Sequence, residues 1–214
     1  MTQLQPASHI LSIPPLHPEA GAADEPSSES ILTVYKRYFH PHYAHVLEIG
    51  GGNTQIPFLA PHFRHIHFTP ASIVEACGQF PPSELANIAA PILLDPQDPE
   101  TWPLTFRHSY NAILCVHPTA LASPAFAGGV MHCANALLHP GGFLSLFGPR
   151  PSTEEPPRNA DDPAASGSRA LAMATRGSLT LPEICKIARW HEMALVGFND
   201  LPHQHTILFF AHAG

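Results

Sequence analysis

The chain has 214 residues, of which 44% are hydrophobic and only 13% charged, and its formal net charge is −7 with histidine neutral. That length suits one α/β domain with a sizeable core. The negative balance excludes a broad basic surface for DNA or RNA, so no nucleic-acid partner is expected. The 25 prolines gather at 1–26, 80–103 and 149–163, marking those stretches as loops or lids. Cys77, Cys115, Cys133 and Cys185 form no CxxC pair and read as free thiols of a reducing compartment. The N-terminus lacks a basic region followed by an apolar run, and no run approaches the roughly 20 apolar residues of a membrane span. The expectation is a soluble, cytoplasmic protein.

Residues 1–26 are predicted to be a proline-rich arm, and 27–214 one domain in which 149–176 is a lid or loop insertion. A first helix is predicted from Ser28 to Phe39, with Ile31, Leu32, Tyr35, Tyr38 and Phe39 at helical spacing. Strand one is His45 to Ile49. A short helix covers Gln55 to His62, where Pro57 fits the first turn. Strand two is His65 to Phe68, then a helix runs around Ser72 to Cys77. Strand three is Pro91 to Leu94, ending at Asp95. Strand four, Asn111 to Val116, is a near-continuous apolar run, as in strands covered on both faces.

Ser123-Pro124 opens a helix to Leu138 with a cap and a first-turn proline. His139-Pro140-Gly141-Gly142 is a turn into strand five, Phe143 to Phe147. Residues 149–168 are loop, and 169–175 helical. Thr180-Leu181-Pro182-Glu183 has the spacing of a capping box opening a helix to His191. Two closing strands, Ala194 to Phe198 and Thr206 to Ala211, form a hairpin. The alternation predicts a mostly parallel sheet with helices on both faces and an antiparallel C-terminal hairpin.

The most informative run is Val46-Leu47-Glu48-Ile49-Gly50-Gly51-Gly52-Asn53-Thr54. A buried strand meets three glycines, which let backbone turn sharply and approach a ligand. The helix beyond supplies unpaired N–H groups that suit an anionic group such as a carboxylate. A nucleotide cofactor site is the expectation.

This strand–GxG–helix unit, Asp95 ending strand three and Leu137-Leu138-His139-Pro140-Gly141-Gly142 before strand five resemble a class I S-adenosylmethionine-dependent methyltransferase. Ala60-Pro61-His62-Phe63, Trp102-Pro103, the run from Leu137 through Gly148-Pro149-Arg150, and Leu201-Pro202 ahead of Ile207-Leu208-Phe209-Phe210 narrow the likeness. They resemble the methyltransferase-like family called domain of unknown function 938, over roughly residues 25–212. The resemblance implies a Rossmann-like, seven-stranded sheet and S-adenosyl-L-methionine as cofactor.

The chain is a divergent member on this reading. Gly52-Asn53-Thr54-Gln55 stands where the family has Gly-Thr-Gly-Gln, and Pro26-Ser27 where it has Arg-Asn. Pro70-Ala71-Ser72 replaces the end of strand two, where an acid usually holds the ribose hydroxyls. His117 and Ala120 align with an expected Asn and His.

The resemblance places Gly50, Gly51, Gly52 and Asn53 at the methionine end of the cofactor, with Glu48 contacting the loop or the cofactor amine. Ser72 supplies one ribose hydrogen bond, or Glu75 reaches across. Asp95 accepts from the adenine amino group, or simply ends a strand in an Asp-Pro turn. Cys115 and Val116 lie where strand four delivers side chains to the pocket. His117 is the candidate general base, since imidazole titrates near neutral pH, or a structural histidine beside Pro118. Arg150 and Asn159 are candidates for a substrate carboxylate, or Arg150 pairs with Glu154 or Glu155. His203 and His205 line the acceptor side.

The chain has 16 histidines, including His40-Pro-His42-x-x-His45 and His62-x-x-His65-x-His67. On a strand, His65 and His67 share a face, but no Cys or acid cluster completes four ligands, so no metal is expected. The leading function is transfer of a methyl group to N, O or S of a small molecule. The alternatives are closure of the cofactor's aminobutyl chain on its own amine with release of methylthioadenosine, and an inactive scaffold that binds a partner. A monomer or homodimer is expected, without a membrane partner.

Overall fold

The computed structural model describes residues 27–50, 55–73, 85–102, 107–116, 123–153 and 179–213. The predicted arm, the helix at 169–175 and most of the predicted helix around Ser72 to Cys77 lie outside them.

Helix α1 (Ser28–Tyr38) starts where the Ser27 hydroxyl accepts from the Ser30 N–H at 3.3 Å, with Glu29 in its first turn and Lys36 and Arg37 in its last. That charge order complements the helix dipole at both ends. Strand β1 (His45–Gly50) is buried on both faces after its first residue. A single turn of helix follows, α2 (Ile56–Leu59), continued by a 3-10 turn at Ala60–His62. Strands β2 (His67–Ser72), β3 (Ile92–Leu93) and β4 (Tyr110–Val116) come next. Helix α3 (Pro124–Leu137), strand β5 (Leu138–Pro149), helix α4 (Leu181–Trp190) and strands β6 (Met193–Leu201) and β7 (His205–His212) complete the described elements.

The seven strands form one sheet in the order β3-β2-β1-β4-β5-β7-β6. All neighbours are parallel except that β7 runs antiparallel to both β5 and β6. One core lies between the sheet and α3 with α4, around Leu47, Ile49, Val130, Met131 and Ile184. The other lies under α1 and α2, around Tyr35, Val46, Phe68, Leu114 and Phe209. The α/β architecture with a closing hairpin is therefore as expected.

The second strand differs from expectation. It starts at His67, so His65 lies in the preceding turn and the two histidines do not share a strand face. It runs through Pro70 to Ser72, which is strand rather than the start of a helix. A proline inside a strand lacks a ladder donor. Here Phe68 N donates to Asn87 O, Ala89 N to Phe68 O, and Leu94 N to Ser72 O. The alternation puts the missing donor of Pro70 on this side, where the ladder skips from Ala89 to Leu94.

Strand five also differs, beginning at Leu138 with the predicted turn inside it. Tyr110 pairs with Leu138 but Ala112 with Phe143, so residues 139–142 bulge from the ladder. Gly141 takes φ 85° there, and a Cβ on Gly142 would lie 2.7 Å from the Asn111 carbonyl. Both glycines are required by the bulge. The capping box at Thr180 forms as predicted, each side chain bonding the other residue's backbone N–H.

Asn87 fastens the segment after the glycine loop to β2. Its amide donates to the carbonyls of Ala60, Phe63 and Ile66 at 3.1–3.3 Å, and the residue is 9% exposed. Asn87→Ala is expected to cost about 2–3 kcal/mol by stranding those acceptors. Asn87→Asp should cost more, because it sets a carboxylate against three carbonyls. Urea midpoints at neutral pH should fall in the order parent, Ala, Asp.

Candidate functional site

The strand order reverses between β1 and β4, and in open parallel sheets the crevice beyond the strand ends at such a point holds the ligand. Gly50 ends β1 and is paired with Ser72, which ends β2, on one side and Val116, which ends β4, on the other. Three predicted cofactor residues thus form one row across the sheet, about 5 Å from strand to strand.

Behind that row lies Glu48, only 2% exposed. Its Oε2 accepts the backbone N–H of Gln55 at 2.9 Å. One carboxylate therefore ties the strand before the glycine loop to the residue after it. A charge buried this far needs such charge-assisted bonds to offset its desolvation. Among the described residues, a Cβ on Gly50 would have Glu48 Oε1 at 3.8 Å as its nearest neighbour, an ordinary van der Waals contact beside the acid. Gln55 Oε1 is buried without a hydrogen-bond partner among the described residues.

The expected helix start is less generous than its sequence suggests. α2 has four residues, and the Gln55 N–H that opens it is already given to Glu48. Among the described residues, the polar atoms at the loop's end are the Glu48 carboxylate and the Gln55 Oε1 acceptor.

Beneath the loop lies a pair that the sequence reading missed. Tyr35 of α1, fully buried, bonds its hydroxyl to Ser145 Oγ of β5 at 3.0 Å. Burial pushes the Tyr35 pKa upward; the Ser145 bond opposes this, and the nearby Glu48 and Cys115 add to it. The available signal was Ser145 itself, a polar residue inside Phe143-Leu144-Ser145-Leu146-Phe147.

Cys115 is fully buried in the core beneath α3, with Ile49 and Leu146 as its register partners. Its side chain belongs to packing, and what it can offer the crevice is backbone. Nearby Cys133 has its thiol pushed up to about 12, by burial first and Cys115 second.

Asp95 Oδ1 accepts from the Gln97 N–H at 2.8 Å, while its carbonyl accepts from Trp102 Nε1 at 2.9 Å. The turn after β3 is thus organised around this residue, the simpler of its two expected roles.

The acceptor-side residues gather at the end of β5. Pro149 pairs with His205, and Arg150 N donates to Gln204 O at 2.7 Å. Arg150 Nε meets Asp200 Oδ1 at 3.0 Å, so its described ionic partner is an acid of β6. The His205 ring stacks on Phe147 at 5.5 Å, and its Nδ1 lies 2.9 Å from His203 O. His203 and Gln204 both take φ 58°, closing the hairpin in left-handed geometry. The structure brings Arg150, His203 and His205 together, about three strand spacings, roughly 15 Å, from Gly50. Gly51, Gly52, Asn53, His117 and Asn159 lie outside the described residues. Among the described residues no helix is long and apolar enough to cross a membrane.

A family model described as "Protein of unknown function (DUF938)" matches residues 18–209. The chain belongs to that family. No curated protein matches it. Among solved structures it is similar to the S-adenosylmethionine-dependent methyltransferase SibL in its apo form, at 14% identity and a TM-score of 0.59, covering 88% of this chain and 55% of that one. It is likewise similar to NcsB1, an O-methyltransferase from neocarzinostatin biosynthesis in complex with S-adenosyl-L-homocysteine and 1,4-dihydroxy-2-naphthoic acid. That match has 15% identity, a TM-score of 0.59, and coverage of 86% and 54%. A Pyrococcus horikoshii OT3 protein matches at 9% identity and a TM-score of 0.61, covering 86% of this chain and 88% of its own. This DUF938 member therefore has the fold of Rossmann-like methyltransferases, and spans about half the length of SibL and NcsB1.

In this DUF938 chain the burial of Tyr35 gives the fold an alkaline limit. A tyrosine whose pKa is raised on folding contributes stability that is full below its unfolded value, about 10, and is lost as pH rises beyond it. Tyr43 and Tyr110 are raised by burial too. Tyr35→Phe should cost about 1 kcal/mol at neutral pH by removing one buried hydrogen bond. Its stability should also fall less steeply than the parent's above pH 10, read from urea unfolding at stepped pH.

Proposed function

We propose that this chain is an S-adenosylmethionine-dependent transferase that moves a methyl group to an N, O or S atom of a small molecule. The observation that carries the reading is the buried Glu48–Gln55 clasp at the β1/β4 switch point, with the Gln55 Oε1 acceptor beside the glycine loop. An α-ammonium group is a donor that matches these acceptors. The space over Gly50, which a side chain would enter, admits the tail carrying it.

Bound there, S-adenosylmethionine supplies a methyl carbon already activated by a sulfonium centre. The protein's part is alignment and exclusion of water. Glu48 and Gln55 hold the amino-acid end, with Gly50, Gly51, Gly52 and Asn53 giving backbone clearance. Ser72, at the end of β2, makes one neutral hydrogen bond to a ribose hydroxyl, and the turn built on Asp95 borders the base. Cys115 and Val116 present the end of β4. With the cofactor in place, the crevice would hold an acceptor atom in line with the methyl carbon, the electron pair of the broken carbon–sulfur bond going to sulfur. His117 takes the acceptor's proton where there is one. Arg150, Asn159, His203 and His205 border the acceptor, and Arg150 binds an acceptor carboxylate by exchanging its bond to Asp200. NcsB1, with its bound naphthoic acid and S-adenosyl-L-homocysteine, supports an acceptor of small-molecule size.

Calorimetry with S-adenosylmethionine tests the reading directly. Saturable binding is expected, weakened at least about tenfold, or 1.4 kcal/mol, by Glu48→Gln and abolished by Gly51→Val. Absence of binding at millimolar ligand would end the proposal. Product analysis then decides the reaction: methyl transfer leaves S-adenosylhomocysteine, whereas internal ring closure leaves methylthioadenosine. His117→Ala should lower turnover far more than cofactor affinity, and unchanged turnover removes it as the base.

A further inference from the structure

A cleft of about 410 Å³ lies on the outer flank of α3, between that helix, α4 and the turn after β3. α3 turns Ala127, Val130, Met131 and Ala134, all fully buried, toward the sheet, whereas Gly128 and Gly129 are half-buried and His132 is exposed. Two glycines inside a helix cost about 1 kcal/mol each relative to alanine. Here they allow close approach. A Cβ on Gly129 would lie 2.7 Å from the Pro96 carbonyl, and one on Gly128 would lie 3.4 Å from His191 Nε2.

The walls are aromatic. The His132 ring stands edge-on to the buried Trp102 at 4.9 Å and stacks face to face with His191 at 5.5 Å and 18°. Trp190 borders the cleft 71% exposed, with the Lys186 ammonium 5.3 Å from its ring centroid. Exposing so large an apolar surface without use is costly for solubility. Burial, and then His132, lower the His191 pKa, so its ring stays neutral further into acid and stacks as an uncharged surface. Rings, prolines, glycines and the Gln97 amide line the cleft, with no carboxylate among the described lining residues. The Lys186 ammonium stands beside the lining Trp190.

We propose that this cleft is a second small-molecule site, which takes a planar aromatic carboxylic acid, its ring against Trp190 and the His132–His191 stack and its carboxylate toward Lys186. A flat ring suits a cleft bordered by the exposed Trp190 and by the stacked His132 and His191 rings. An acid is selected because the cleft holds no competing carboxylate and has an ammonium at its edge. The site lies on the helical flank and shares only the turn after β3 with the proposed cofactor crevice, and none of its aromatic residues is assigned to the cofactor.

The test is calorimetry on the full chain with 2-naphthoate as probe, 2-naphthylmethanol as its neutral counterpart, and S-adenosylhomocysteine as competitor. One 2-naphthoate should bind per chain, at least about fivefold tighter than the alcohol. Trp190→Ala should weaken it about tenfold or more without moving the melting temperature, since Trp190 is exposed. Lys186→Gln should remove the preference for the acid while leaving the alcohol unchanged. Saturating S-adenosylhomocysteine should leave the probe bound. The chain has 2 tryptophans, Trp102 and Trp190, so intrinsic fluorescence provides a second readout in the parent. The proposal is overturned by the absence of saturable binding, by binding indifferent to Trp190→Ala, or by displacement with S-adenosylhomocysteine. Self-association lost in Trp190→Ala without probe binding would show the face to be a protein contact, and also overturns it.

Discussion

The bond from the Gln55 N–H to the Glu48 carboxylate is the constraint on which the rest of the crevice depends. It joins the last turn of the central strand to the first turn of the helix beyond, and so sets how far the glycine run between them can stray. A carboxylate at this depth is tolerated because the sheet surrounds it with fixed partners. β1 pairs with β2 and β4 along its length, so Glu48 cannot retreat without breaking the ladder. The Tyr35–Ser145 bond fastens α1 to β5, and Asn87 gathers the carbonyls of Ala60, Phe63 and Ile66 in the segment ahead of β2. Rigidity of the site thus comes from buried neutral hydrogen bonds around one buried charge.

Much of the fold was legible because its signals were local. Ser123 and Thr180 each cap the helix their position announces, and Pro124 and Pro182 sit in the first turns that tolerate them. The apolar runs at 45–50 and 110–116 became the central strands, as continuous hydrophobicity implies. The errors fell where tertiary pairing overrides a local cue. Pro70 argued against a strand, yet the neighbouring ladder leaves a gap on the side where its donor is missing. The Pro-Gly-Gly turn argued for a strand start at Phe143, yet Leu138 already pairs with Tyr110 and the turn is a bulge.

The site was legible in place more than in chemistry. Glu48, Gly50, Ser72 and Val116 converge because residues at equivalent ends of parallel strands must do so. Side-chain direction was not available in the same way. Adjacent residues of a strand face opposite layers, and so Cys115 is committed to the α3 core while Val116 belongs to the other face. Arg150 was read as binding a substrate carboxylate or pairing with Glu154 or Glu155, which lie outside the described residues, and its described partner, Asp200, comes from a strand two places away in the sheet. Such pairings follow from topology, which no local window contains.

Ser72 in place of an acid fits the electrostatics of this particular crevice. It faces the same side of the sheet as Glu48, one strand across and two residues on, a separation of roughly 8 Å from strand spacing and rise. Two carboxylates at that distance repel by about 2 kcal/mol at an effective dielectric constant near 20, a penalty added to the burial of each. Ser72, 7% exposed, keeps a hydrogen-bonding group at the strand end without it. The chain then carries its buried negative charge at one point, Glu48, where it also fastens the loop. Ser72 thus leaves the end of β2 uncharged, and the buried acid stands on β1, which is paired with β2 on one side and β4 on the other.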